Sequence, residues 1–183
     1  MSTPVLGIAG WKNSGKTTLV TKLIAELTRR GLRVASVKHA HHEADMDHEG
    51  TDTFRHRAAG AVEVALVTSR RWALIHELGN AAEPTLSETL SRLSSCDVVI
   101  VEGYKREAIP KIEARRVGAA KSDPLTQEDA TVIAVAADHR ADGHGRPVFD
   151  LDDVVGICNF IIGQFGLKAG FASSTPSRQL PDP

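Results

Sequence analysis

Cysteine is scarce in this chain, with only Cys96 and Cys158 among 183 residues. They form no Cys-x-x-Cys pair and each stands in an apolar stretch, so a disulfide framework or a thiolate metal site is disfavoured and small buried thiols are expected. Charge of one sign is not in excess either. The formal net charge of -1 gives no electrostatic case for nucleic acid or an acidic membrane as partner. No apolar run approaches the roughly 18 residues of a membrane span. Residues 1–9 are too short and too uncharged for a secretory signal before a glycine loop begins. These absences lead to the expectation of a soluble, reduced, cytoplasmic protein.

What is present is ordinary globular composition, 42% hydrophobic and 25% charged. The length suits one domain with a single core, expected over residues 1–168. Residues 169–183 are expected to be a disordered tail, since Ala172 to Pro183 carries three serines, three prolines and no core pattern. Apolar runs alternate with helical segments, which predicts an α/β fold with a mostly parallel sheet flanked by helices. Strands are expected at Pro4–Ala9, Leu32–Val37, Ala61–Val67, Trp72–His76, Asp97–Val101, Ile112–Arg116, Thr131–Ala136 and Val148–Phe149. The runs Ala61–Val67 and Trp72–His76 read as a hairpin, the short antiparallel part of the fold, and Trp72 as a core residue. Ile112–Arg116 reads as an edge strand, because Pro110 precedes it and its alternation is only partly apolar. Helices are expected at Gly15–Arg30, Thr51–Ala59, Pro84–Ser94 and Asp152–Phe165.

Between the first strand and the first helix lies Gly10-Trp11-Lys12-Asn13-Ser14-Gly15-Lys16-Thr17, followed by Thr18. This is a phosphate-binding loop, and it places the chain in the P-loop NTPase fold. Its glycines let the backbone wrap an anion with successive N–H groups pointing inward. Lys16 can reach the β- and γ-phosphates of a nucleoside triphosphate, and the Thr17 hydroxyl can hold magnesium. The helix that follows aims its N-terminal amides at the same anion.

Ligands of open α/β sheets bind beyond the carboxyl ends of the strands, and that rule ranks the remaining polar residues. The strand Asp97–Val101 begins at one carboxylate and runs into another, Glu102, roughly 16 Å away. Only Glu102 lies on the phosphate side, where it can hold magnesium directly or through a water, and Gly103 lets the backbone turn close to the ligand. Asp97 is assigned to the strand start or to solvent. The second strand leads into Lys38-His39-Ala40-His41-His42, and His48 and His56 follow, interleaved with Asp45, Asp47 and Asp52. Three readings of this block stand side by side: a switch or substrate loop, a transition-metal site, and a solvated surface. Arg55 and Arg57 could add anion contacts. Asp138, after the strand Thr131–Ala136, can accept both the N1–H and the exocyclic amine of guanine. The preceding Val135-Ala136-Ala137 lacks the Asn/Thr and Lys of the usual guanine motif. Trp11 is available to pack on a partner or ligand.

Taken together, GWKNSGKTTL, SVKHAHHEADMDHEGTDTFRHRAAGA, RWALIHEL, DVVIVEGYKREAIPKIE and VFDLDDVVGICNFI resemble the molybdopterin-guanine dinucleotide biosynthesis adaptor proteins, B component. The resemblance runs from about Val5 to Phe165. It implies a GTPase of the metal-chaperone and signal-recognition class that binds GTP with magnesium, hydrolyses it slowly and forms a homodimer. It also implies a role assisting a guanylyltransferase that joins GMP to molybdopterin, with no nucleic-acid or membrane partner. Carried over by motif, Gly10 to Thr17 bind phosphate and magnesium, Glu102 takes the acidic role and His39 to Arg57 form the family's distinctive loop. Two rival classes fit the residues: an ATP-dependent small-molecule kinase or ligase, and a GTP-dependent nickel or zinc metallochaperone.

Overall fold

The computed structural model describes residues 3–40, 47–119 and 123–170. The chain divides into two compact units, Met1–His39 with Leu93–Pro183, and Ala40–Arg92. The expected disordered tail falls almost wholly outside the described residues, as do His41, His42 and Asp45.

The larger unit is built on one six-stranded sheet. Its strands are β1 (Val5–Ala9), β2 (Val34–Lys38), β5 (Val98–Glu102), β6 (Lys111–Arg115), β7 (Val132–Ala137) and β8 (Val148–Asp150). Their spatial order is β2-β5-β1-β6-β7-β8, with every neighbouring pair parallel. Parallel strands need crossovers, and helix α1 (Lys16–Arg29) makes the one from β1 to β2, while α4 (Val154–Phe165) follows the last strand. Leu19, Leu23 and Leu27, one helical turn apart, are buried along α1, and Ile157 and Ile161 do the same on α4. These residues close over Leu6, Ile8, Ile100 and Ile112 to form the core. Helix α1 stops where Gly31 turns to positive φ and Leu32 N–H reaches back to the Leu27 carbonyl at 3.2 Å.

Strand β6 corrects the edge-strand expectation, because it lies between β1 and β7 in the middle of the sheet. Its charged residues alternate on one face, which imitates a solvated strand, yet Lys111 and Glu113 are each only 1% exposed. Both are satisfied internally. Lys111 Nζ donates to the Glu107 carbonyl, to Thr131 Oγ1 at 2.5 Å and to Asp129 Oδ2 at 3.0 Å. Glu113 accepts from Arg115 Nη2 at 2.7 Å and from the Leu125 N–H at 2.9 Å. Pro110 costs the ladder nothing, because it precedes the strand and its carbonyl accepts from Gly7 N–H at 2.8 Å.

The smaller unit holds α2 (Asp52–Ala58), the hairpin β3 (Glu63–Val67) and β4 (Trp72–His76), and α3 (Leu86–Ser91). The antiparallel pair is thus a two-stranded sheet of its own. Thr51 caps α2 by accepting from Phe54 N–H, and Thr85 with Glu88 forms a capping box on α3. Asp47 draws the start of α2 together, accepting from Thr51 Oγ1 at 2.8 Å, Thr53 Oγ1 at 3.1 Å and the His48 N–H at 3.0 Å. Trp72 corrects another expectation, being 71% exposed on the hairpin rather than buried in a core.

Candidate functional site: the phosphate loop and its neighbours

The loop after β1 takes its shape from three residues with positive φ: Gly10 at 147°, Asn13 at 66° and Gly15 at 86°. Glycine is required at the first for a second reason. A Cβ on Gly10 would sit 2.5 Å from both the Ala114 carbonyl oxygen and Ser14 Oγ. Lys12, Asn13, Thr17 and Thr18 are exposed along the loop and the first turn of α1, whereas Ser14 is buried. Among the described residues Ser14 Oγ has no hydrogen-bond partner. Lys16 Nζ donates to the Trp11 carbonyl at 2.6 Å. Burial pushes the Lys16 ammonium below its ordinary pKa, with Lys105 and Lys38 adding to the effect and Glu102 opposing it.

Glu102, the last residue of β5, is buried and meets the loop directly. The Thr17 hydroxyl donates to Glu102 Oε1 at 2.6 Å, and Lys38 Nζ lies 3.7 Å from the same oxygen. Parallel pairing of β2 with β5 sets this up, since Lys38 is the register partner of Glu102. His39 continues the ladder, its N–H donating to the Glu102 carbonyl at 2.9 Å, and its ring stacks on Tyr104 with centroids 4.8 Å apart. Gly103 makes the approach possible, because a Cβ there would stand 2.6 Å from the His39 carbonyl oxygen. At the other end of β5, Asp97 accepts from the Arg33 N–H at 2.6 Å, a structural contact at the strand start.

Asp138 follows β7 on the same side of the sheet, but it meets a different group of residues. Its Oδ1 accepts from the Val117 N–H and from His139 Nδ1, both at 2.9 Å, and its Oδ2 is 3.5 Å from Arg116 Nε. The hydrogen bond with His139 leads the causes that hold its carboxyl below the usual range. A Cβ placed on Gly15 would touch Leu151 Cδ2 at 3.2 Å and Arg116 Cδ at 3.9 Å. Arg116 therefore stands between the end of the phosphate loop and Asp138. No hydrogen bond joins Asp138 to Gly10–Thr18 among the described residues.

The structure thus brings together Trp11, Lys16, Thr17, Lys38, His39 and Glu102, and sets Asp138 beyond Arg116. Sequence reasoning missed Lys105, whose Nζ lies 3.4 Å from the centroid of the Trp11 ring. It also missed Tyr104, Arg116 and Leu151; Tyr104 and Leu151 fall within the resembling blocks, but no role attaches to them there. Position just past the ends of β5, β6 and β8 was the one signal available. Among the described residues, no group of three or more His, Cys, Asp or Glu side chains is arranged to hold a metal ion. No helix of the described residues is long and apolar enough to cross a membrane.

With this geometry in place, the chain matches the family model described as Molybdopterin guanine dinucleotide synthesis protein B over residues 5–138. The chain belongs to that family. The matched span of the family runs from β1 to Asp138 and so contains every site residue named above except His139 and Leu151. Among its members, the molybdopterin-guanine dinucleotide biosynthesis adapter protein of Haemophilus influenzae (strain ATCC 51907 / DSM 11121 / KW20 / Rd) is 40% identical over 159 residues, covering 86% of this chain and 87% of that protein. The adapter protein of Escherichia coli (strain K12) is 38% identical over 161 residues, covering 87% of this chain and 91% of that protein. A crystal structure of molybdopterin-guanine biosynthesis protein B superimposes with a TM-score of 0.69 at 29% identity, over 88% of this chain and 99% of that one. The family's fold is the P-loop NTPase fold, here with a six-stranded parallel sheet and a separate antiparallel pair.

Proposed function

We propose that this chain is a GTP-binding adapter with slow GTPase activity in molybdopterin guanine dinucleotide biosynthesis, assisting a guanylyltransferase that attaches GMP to molybdopterin. The observation that carries the nucleotide part is the contact of Thr17 with Glu102 at the mouth of a glycine-shaped loop. The adapter part comes from the family, whose curated relatives bear that description.

The donor set suits a nucleoside triphosphate. Gly10 and Gly15 free the loop amides, Ser14 keeps a buried hydroxyl without a partner among the described residues, and Lys16 supplies the neutralising charge. Magnesium takes hard oxygen ligands, and Thr17 and Glu102 offer a hydroxyl and a carboxylate side by side. When bound, the ion supplies charge neutralisation between the phosphates. Lys12, Asn13 and Thr18 border the same loop, and Lys38 and His39 border Glu102. Asp138 is assigned to guanine, with Arg116 and Leu151 flanking the route from Gly15. Reading both guanine donors takes both carboxylate oxygens, so the base must share Oδ1 with the Val117 N–H.

Slow hydrolysis follows from the residue set, which contains no evident water-orienting Gln or committed arginine finger. A turnover above about 1 s⁻¹ without a partner counts against the reading. The protein is assigned to the cytoplasm, acting as a homodimer. The hairpin supports the dimer, because Val67, Trp72 and Leu74 are 72%, 71% and 49% exposed on one of its faces.

The direct test is a reconstituted transfer reaction with molybdopterin, GTP, magnesium and a molybdopterin guanylyltransferase. The expected result is a higher yield of the dinucleotide with wild-type chain than with Lys16→Ala. Equal stimulation by both proteins contradicts the reading.

A further inference from the structure

Trp11 serves two lysines at once. Its main-chain carbonyl accepts from Lys16 Nζ at 2.6 Å, and the face of its ring carries Lys105 Nζ 3.4 Å from the centroid. The indole N–H donates to the Asp123 carbonyl at 2.8 Å, which fixes the ring in the second position of the phosphate loop.

Lys105 arrives there by the same turn that delivers Glu102. After β5, Gly103 adopts φ 102° against the His39 backbone, and the Lys105 N–H closes the turn onto the Gly103 carbonyl at 2.9 Å. The carboxylate at the end of the strand goes to Thr17, and the lysine three residues later folds back over the loop. Its charge is felt at the Lys16 ammonium together with those of Lys38 and Glu102, so all four groups share one electrostatic neighbourhood.

An ammonium over an indole face is held by the ring quadrupole, a weaker and less directional attraction than a charge-assisted hydrogen bond to a phosphate oxygen. Lysine also carries its charge on a flexible alkyl stem. We propose that Lys105 is a second phosphate-binding lysine of this site, directed to the terminal phosphate of a nucleoside triphosphate, with the Trp11 ring as its alternative seat. The inference rests on the reading that the loop binds a nucleoside triphosphate. The terminal phosphate is singled out because Lys105 and Lys16, the lysine directed to the β- and γ-phosphates, both seat on Trp11, whereas Arg116 and Leu151 flank Gly15. The arrangement makes Trp11 a reporter, since a lysine leaving its ring changes the indole's surroundings.

The test is a magnesium-containing titration of the full chain with GTP, a non-hydrolysable GTP analogue and GDP, following Trp11 fluorescence. Trp72→Phe in every protein leaves Trp11 as the one indole. Lys105→Met is expected to weaken both triphosphates at least about tenfold while GDP changes by less than about twofold. The emission change on triphosphate binding should be lost with it and regained in Lys105→Arg. An equal loss for GDP and GTP, or no loss for either, overturns the proposal, since a lysine that merely covers the indole does not distinguish the two nucleotides. Lys16→Ala separates the two levels of the argument. If it loses nucleotide while Lys105→Met keeps triphosphate affinity, only the Lys105 assignment falls. If Lys16→Ala binds as the parent does, the phosphate-loop reading fails and takes the proposal with it.

Discussion

A single methyl group tests how tightly the phosphate loop is built. Gly10 combines a φ of 147° with an Ala114 carbonyl oxygen and a Ser14 hydroxyl that would each lie 2.5 Å from an added Cβ. One of those contacts is backbone in the central strand β6, which cannot step aside. Gly10→Ala is therefore expected to lower unfolding free energy by about 1–3 kcal/mol. It should also abolish nucleotide binding, with denaturant melts and calorimetry as the two readouts. Wild-type stability together with retained binding would show that the loop is looser than its geometry indicates. At this scale much of the site was legible in the sequence. Lys16, Thr17 and Glu102 were assigned from motif and strand direction, and the Thr17–Glu102 contact at 2.6 Å accords with that assignment. Lys105 was not legible, because a cation over an indole depends on how a turn folds back, and no spacing encodes it.

Among the elements, the strands that misled are those whose environment inverts the usual pattern. In β6 the alternation of Lys111, Glu113 and Arg115 with Ile112 and Ala114 imitates a strand with one face in water. The charged face is instead buried and paired internally, with Lys111 bound by Asp129 and Glu113 by Arg115. In the hairpin the error ran the other way. Trp72, read as a core residue, is the register partner of Val67, and both are largely exposed on an open face. A two-stranded sheet is marginal on its own in water, and a second copy is the occupant the homodimer reading supplies. Trp72→Lys is thus expected to shift the chain from dimer to monomer in sedimentation velocity while leaving the larger unit folded. A dimer of unchanged stability in that variant would remove the hairpin from the interface. The strands β1 and β5 gave no such trouble, since continuous apolar runs ending at a glycine loop and at Glu102 have one sensible reading in a parallel sheet.

For the whole molecule, parallel pairing sends the carboxyl ends of β1, β2, β5, β6 and β7 to one edge of the sheet. The loop, Lys38, Glu102, Arg116 and Asp138 all follow from that arrangement, the first three as one contact group and Arg116 with Asp138 as another. Charge does not draw this chain to a polyanion, so an anion must be held locally, by loop amides and a few lysines. The proposed function puts base selection at the far end of the same edge, where Asp138 is tied to Val117, His139 and Arg116. That tie is the point at which a GTP protein and an ATP-dependent kinase diverge. The most direct measurement is calorimetric titration of GTP and of ATP with magnesium into wild type, Lys16→Ala and Asp138→Ala. The account predicts GTP binding in the wild type, its loss in Lys16→Ala, and GTP and ATP bound alike in Asp138→Ala. A wild-type preference for ATP, or undiminished binding in Lys16→Ala, would contradict it.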